Sequence, residues 1–237
     1  MIARSSFVGF CFLVGILPLA SQDLVTNQNA ALILGQPDFT SVGSPGATAN
    51  NNFLASSGIA VDPGTGQLHI ADTAWHRVMR FAAFPGLVNQ AAAIGVLGQP
   101  NFTDSAGNST ITRLNNPQEI HIGPDGNLAV ADAVNDRVIV HFAVAGKADF
   151  ASADLILGQA AAGQESPGLA INRLNNPRGV VIAPGGQLWI ADTNNNRVLR
   201  FDNYASLGNG GSASVVLGQI DFVTATAGLS ATKFSNP

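Results

Sequence analysis

An all-β repeat protein, built from three copies of a four-stranded antiparallel unit, is the fold class that the sequence predicts. Three observations predict it. The phrase "ADTAWHRVMRF" from Ala71 returns as "ADAVNDRVIVH" from Ala131 and "ADTNNNRVLRF" from Ala191, 60 residues apart each time. Two further phrases keep step: "LGQ" at Leu34, Leu97, Leu157 and Leu217, and "RLNNP" at 113–117 and 173–177, echoed as "KFSNP" at 233–237. The composition agrees, with 11% charged residues, 46% apolar residues and 26 glycines, a balance suited to short strands and many turns. Self-similarity at a fixed period marks units that stack to share a core.

Taken in order, the first element is residues 1–21. Arg4 precedes an apolar run, Phe7–Ala20, too short to span a bilayer comfortably, which is the pattern of a secretory signal. The sole cysteine, Cys11, falls inside it, so the mature chain has no disulfide or thiolate metal site. A secreted or periplasmic location is the expectation, with no membrane attachment once the signal is removed. Residues 22–57 then carry a lone outer strand, "AALILGQ" (Ala30–Gln36), and a polar insert.

The repeating unit reads most clearly in the third copy. "GVVIAP" (Gly179–Pro184) is a short apolar run suited to a buried strand. A "GG" turn leads to "QLWIAD" (Gln187–Asp192), and the polar loop "TNNN" leads to "RVLRF" (Arg197–Phe201). "ASVVLGQ" (Ala213–Gln219) is the fourth strand. Four antiparallel strands joined by hairpins make one blade of a β-propeller. The units span 58–118, 119–178 and 179–237, giving three full blades plus the N-terminal outer strand: a partial propeller, expected to be a fragment of a longer chain of five to seven blades or to close by self-association.

"NPRGVVIAPGGQLWIADTNNNRVLRF" closely resembles the NHL repeat, a propeller-blade motif, and so do "NPQEIHIGPDGNLAVADAVNDRVIVH" and "SSGIAVDPGTGQLHIADTAWHRVMRF". The resemblance covers about half of each unit. It implies a binding or scaffold module, since such propellers mostly bind proteins, nucleic acids or glycans. The net charge of −4 and the lack of any Lys/Arg cluster exclude a nucleic-acid surface, leaving a protein or glycan ligand. Related propellers also include a peptide-amidating lyase and metal-dependent lactonase-like hydrolases with a central-channel site.

The excess length of each unit falls between the fourth strand and the next first strand, at 37–57, 100–117, 160–177 and 220–237. In a propeller these inserts share one face of the disc with the loops between second and third strands. That face is the expected binding surface. Its candidate contact residues are the loop tips Trp75 and His76, Asn135 and Asp136, and Asn195 and Asn196. Asp72, Asp132 and Asp192 each precede Arg77, Arg137 and Arg197 by five residues and are read as structural pairs across a hairpin, because they recur in every copy. His69 and His141 replace packing residues of the sister copies (Ala129 and Trp189; Phe81 and Phe201) and are read as fillers.

Glu119 and His121 break the pattern on an inner strand. Two apart, they project to the same side and would suit Zn²⁺ or Ca²⁺ as two ligands of a site; no other cofactor is expected. No nucleophile elbow or phosphate-binding glycine loop is present in the sequence, so no catalytic residue is assigned.

Overall fold

The computed structural model describes residues 30–41 and 46–237. The expected signal segment, with Cys11, lies outside the described residues. Among those described, no helix is long and apolar enough to cross a membrane.

Blade 1 comprises β1 (Ser56–Val61), β2 (Gln67–Asp72), β3 (Arg77–Ala83) and β4 (Gly95–Leu97). Blade 2 comprises β5 (Pro117–Ile122), β6 (Leu128–Asp132), β7 (Arg137–His141) and β8 (Leu155–Leu157). Blade 3 comprises β9 (Pro177–Ile182), β10 (Gln187–Asp192), β11 (Arg197–Asp202) and β12 (Val215–Leu217). Each blade is one antiparallel sheet with strands in chain order, as the repeat implies. The first strand of blade 3 begins at Pro177 rather than Gly179. Proline is tolerated at the first residue of a strand, where its missing N–H takes no ladder bond.

Hydrophobic periodicity explains how the blades stack. Ile120, Ile122, Leu128, Val130 and Ile139 of blade 2 pack on Ala71, Val78 and Leu97 of blade 1. Val180, Ile182, Leu188, Ile190, Leu199 and Phe201 of blade 3 pack in the same way on Ala129, Ala131, Val138, Val140, Leu155 and Leu157 of blade 2. Each junction therefore sets the bulkier face of one sheet against the smaller side chains of the one before it. At the outer faces these positions are open. Ile59 and Val61 are 67% and 58% exposed, whereas their counterparts Ile120 and Ile122 are buried.

The recurring phrases seal the blades. Gly98 and Gly158 have φ of +84° and +90°, and each lies against the buried leucine of an "RLNNP" phrase, Leu114 or Leu174. Gly35 and Gly218 repeat the conformation against Phe53 and Phe234. A Cβ on Gly158 would stand 2.6 Å from Leu174 Cδ1 and 2.8 Å from Asp136 O. Gly158→Ala is thus expected to cost about 2 kcal/mol or more, from left-handed strain and from contact with backbone that cannot retreat. Chemical denaturation of the variant checks this.

Ala30–Gln36, expected as an outer strand, forms no ladder; Gly35 makes a single parallel bridge to Asn52. The segment nevertheless has the local ties of a fourth strand. Ile33 N donates to Asn89 Oδ1, as Val96 N does to Asp149 Oδ1 and Ile156 N to Asn209 Oδ1. Leu34 joins Phe53, Ile70, Met79 and Phe81 in the apolar cluster on blade 1. The pattern for a strand is present, but among the described residues no third strand lies beside it to pair with.

Candidate functional surface

The three Asp–Arg pairs are built identically. The Arg Nε donates to the Asp Oδ2 at 2.8 Å for Arg77–Asp72 and at 2.7 Å for both Arg137–Asp132 and Arg197–Asp192, with all six side chains fully buried. Burial pushes each carboxyl pKa up, against the guanidinium and the N–H donors that favour its charge. The other carboxylate oxygen turns to the chain before the blade: Asp132 Oδ1 accepts Asn115 N and Asp192 Oδ1 accepts Asn175 N, both at 2.7 Å.

The remaining guanidinium donors reach much further along the chain. Arg137 donates to the carbonyls of Ser109, Thr110 and Arg113. Arg77 donates to those of Ala49, Asn52 and Phe102, and Arg197 to those of Ala170, Arg173 and Phe222. Every one of these carbonyls belongs to an insert. One buried fork per blade therefore holds the loops above it by charge-assisted hydrogen bonds.

The loop tips expected to offer contact side chains turn them inward instead. Asn135 and Asn195 are buried, and each donates Nδ2 to its Asp Oδ2 and to an insert carbonyl, Asn108 O or Gly168 O. Trp75, at the equivalent place in blade 1, is 8% exposed and lies 4.9 Å from the Arg77 guanidinium. The next residue is a latch between units. His76 Nδ1 accepts Asn116 N, Asp136 Oδ1 accepts Asn176 N and Asn196 Oδ1 accepts Asn236 N. These three sit in the left-handed region at the end of a short 3₁₀ turn, His76 with φ of 54°.

Glu119 is exposed on β5, in the row where Gly58 and Gly179 stand in the other blades. His121 is half-buried, and its Nδ1 accepts the backbone N–H of Ile182 from blade 3 at 3.1 Å. Among the described residues no three His, Cys, Asp or Glu side chains gather to hold a metal ion. The pair alone falls short of the three protein ligands that a catalytic zinc takes. His69 and His141 are buried, as fillers would be.

Exposed side chains on this face include Thr103, Ser105 and Asn108 of one insert, Gln164, Glu165 and Ser166 of the next, and Val134 and Asn194 of the short 3₁₀ turns. Their turns are locally closed. Asn101 Oδ1 accepts the N–H groups of Thr103 and Asp104, and Gln164 Oε1 those of Ala160 and Ala161. Of the six loop-tip residues expected as contacts, Trp75, Asn135, Asp136 and Asn195 are buried, whereas His76 and Asn196 are half-buried.

A family model for the NHL repeat matches residues 174–201, the stretch from the buried Leu174 through β11. No curated protein sequence matches the chain. Among solved structures, the chain is similar to a streptogramin B lyase (17% identity, TM-score 0.39, covering 62% of this chain and 37% of that one). It is similar to hydrazine synthase of Kuenenia stuttgartiensis (17%, 0.44, 77% and 41%) and to the WD40 β-propeller domain of Doa1 (11%, 0.41, 73% and 44%). The chain thus spans less than half the length of each of these structures. The chain holds three successive copies of one four-stranded antiparallel blade, and within the third the stretch 174–201 is matched as an NHL repeat.

Proposed function

We propose that this protein is a binding or scaffold module that recognises a protein or a glycan through the inserts on one face of its blades. One observation carries the reading: a buried arginine in every blade spends its donors on insert carbonyls. Solvated spacers need no such anchoring. Loops fixed before a ligand arrives lose little conformational entropy on binding, which is what a recognition surface gains from preorganisation. The rows of Thr, Ser, Asn and Gln that project from these loops suit hydrogen bonding to polar partners. On the reading of residues 1–21 as an export signal, the module works outside the cytoplasm.

The apolar positions left open on blade 1 (Ile59, Val61) and blade 3 (Val181, Leu217) are of the kind that cover one another at the two internal junctions. We assign them to packing against further blades of the same type. Arg200 supports this assignment. Its counterpart Arg80 reaches across a junction to the carbonyls of Val144 and Lys147, while Arg200 lies beside Trp189 and Asp202 on the open face.

Replacing residues 103–108 by a Gly-Ser stretch of equal length is expected to abolish capture of ligands from a glycan array or a displayed-protein library, with the melting temperature unchanged. Capture that survives both this exchange and the matching one at 163–167 would overturn the assignment of the face.

A further inference from the structure

The connection between the third and fourth strands of each blade clamps the fourth strand that precedes the blade. Asn89, Asp149 and Asn209 accept, on Oδ1, the backbone N–H groups of Ile33, Val96 and Ile156 at 3.0, 2.8 and 2.9 Å. The next residue, Gln90, Phe150 or Gly210, is left-handed and returns its own N–H to the carbonyl of that same strand residue. Ala93, Ala153 and Ala213 then donate to Asn50, Ile111 and Ile171 of the insert beyond that strand. Three connectors thus hold three strand-and-insert segments at three points each.

The fourth such segment, β12 with residues 220–237, has no connector among the described residues. In blade 2, Ala160 and Asn172 seat Gly210: a Cβ on that glycine would stand 2.9 Å from Ala160 Cα, and Asn172 Nδ2 donates to Gly210 O. Their counterparts one period on, Ile220 and Thr232, line a cavity of about 510 Å³, and Ile220 is 91% exposed. The near side of blade 1 is the matching half. Besides Ile59 and Val61 it exposes Phe84, which is 69% exposed. Val144 and Tyr204, one and two periods later, are buried in the junctions, Tyr204 with its hydroxyl bonded to Asp125 and Asn127 of the preceding blade.

The connector of blade 1 is held by a segment that closely matches the open one. "LGQPDF" from Leu34 answers to "LGQIDF" from Leu217, and Phe53 and Phe234 lie against Gly35 and Gly218 where the internal segments use Leu114 and Leu174. Leu32–Gln36 forms no ladder, whereas β12 is already paired with β11 and so loses less freedom on docking.

We infer that β12 and residues 220–237 of one copy replace residues 32–55 on blade 1 of a second copy, joining the two head to tail, with connector 89–93 of the second seated beside Ile220 and Thr232. The inference rests on the assignment of the open faces to blade packing and names the occupant, a second copy of this chain. No buried charge is stranded by the exchange. Arg77 gives up the carbonyls of Ala49 and Asn52 and gains those of Ser230 and Lys233, one period beyond the Ala170 and Arg173 that Arg197 holds. The contact is heterologous, so it closes into a ring or runs on as a filament.

Sedimentation velocity with hydrogen exchange on the full chain tests this. Association is expected as concentration rises, with protection passing from the Ile33 amide to the Val216 amide. Leu34→Asp puts a carboxylate into the apolar cluster that holds the N-terminal segment, and Leu34 leaves the junction on exchange, so association should strengthen about tenfold or more. Val216→Pro removes the N–H that Asn89 would accept, on an edge strand where proline is tolerated, and should abolish association in that background. Ile59→Asp should do the same. Should Leu34→Asp not fold, the transfer of protection in the unmodified chain decides. Association lost with Ile59→Asp but indifferent to Val216→Pro overturns the exchange and keeps the assignment of the faces. Association that survives Ile59→Asp overturns both. Monomers at every concentration, in the unmodified chain and in Leu34→Asp alike, overturn the exchange and leave the open faces to blades from another source.

Discussion

Asp132→Ala is expected to lower the melting temperature by roughly 10 °C, the largest effect of any single substitution in the blades. The Arg137 guanidinium has no solvent exposure, and Asp132 is its counter-charge. Removing one partner of a buried, hydrogen-bonded pair leaves an uncompensated charge in low dielectric, at a cost of about 3–5 kcal/mol. A unit of this size loses about 2–4 °C of melting temperature per kcal/mol. The substitution also orphans Asn115 N and Asn135 Nδ2, which both donate to this carboxylate. Asp132→Asn keeps an acceptor and should fall between the two. The consequence beyond stability is local. The carbonyls of Ser109, Thr110 and Arg113 lose their anchor as Arg137 shifts, so amide exchange across 105–116 should quicken more than exchange in β6 or β7. Calorimetry and hydrogen exchange on the same variant check both parts. A large loss of stability with unchanged exchange across the insert would mean that the arginine holds the blade but not the loop, and the proposed recognition surface would lose its main support.

Much of this architecture was legible from spacing alone. Strands β2, β3, β6, β7, β10 and β11 fall where alternation and the 60-residue period put them, because each sheet meets a neighbouring sheet on at least one face and a register error would expose a whole row. The Asp–Arg ties were legible as repeated pairs. Their reach was not. A backbone carbonyl is the same whatever residue carries it, so nothing in the sequence marks Ser109 or Ala170 as an arginine partner. The burial of Asn135 and Asn195 was hidden for a related reason. Asn135 and Asn195 look like surface residues, and a polar side chain buried with its partners reads the same as one in water. Trp75 was the clue: an aromatic at the same position suits burial, and it lies against Arg77, the counterpart in blade 1 of Arg137 and Arg197. The difference between Tyr204 and Val144 carried information too, but only the Asp125 and Asn127 contacts show what the ring does.

Acidification from pH 7.5 to pH 4.5 is expected to destabilise the protein through two histidines that the fold keeps neutral. Burial lowers the pKa of His69 and His141 from 6.5 to about 4 each, with Arg80 adding to the effect at His69 and Lys147 at His141. In the unfolded chain both titrate near the ordinary value, so between about 6.5 and 4 the unfolded state binds more protons and stability falls as pH falls. The contribution is fully present above pH 6.5. Its loss is on the order of 2–3 kcal/mol per histidine by the lower end of the window. His76 works in the same direction, since burial lowers its pKa and its Nδ1 must stay unprotonated to accept Asn116 N. The carboxylates whose pKa values are lowered, among them Asp38 and Asp154, add their own losses below pH 4, outside this range. His141→Phe installs the residue present at both sister positions, Phe81 and Phe201, and should flatten the slope of stability against pH by about half. Adding His69→Ala, the residue at the blade 2 position, should remove most of what is left. Denaturant midpoints measured across the range decide the matter. A double variant that keeps the full slope would show that the acid sensitivity does not come from these two histidines, which are then tolerated in the junctions without being held to one charge state; the clamp carboxyls, raised by burial, act in the opposite direction.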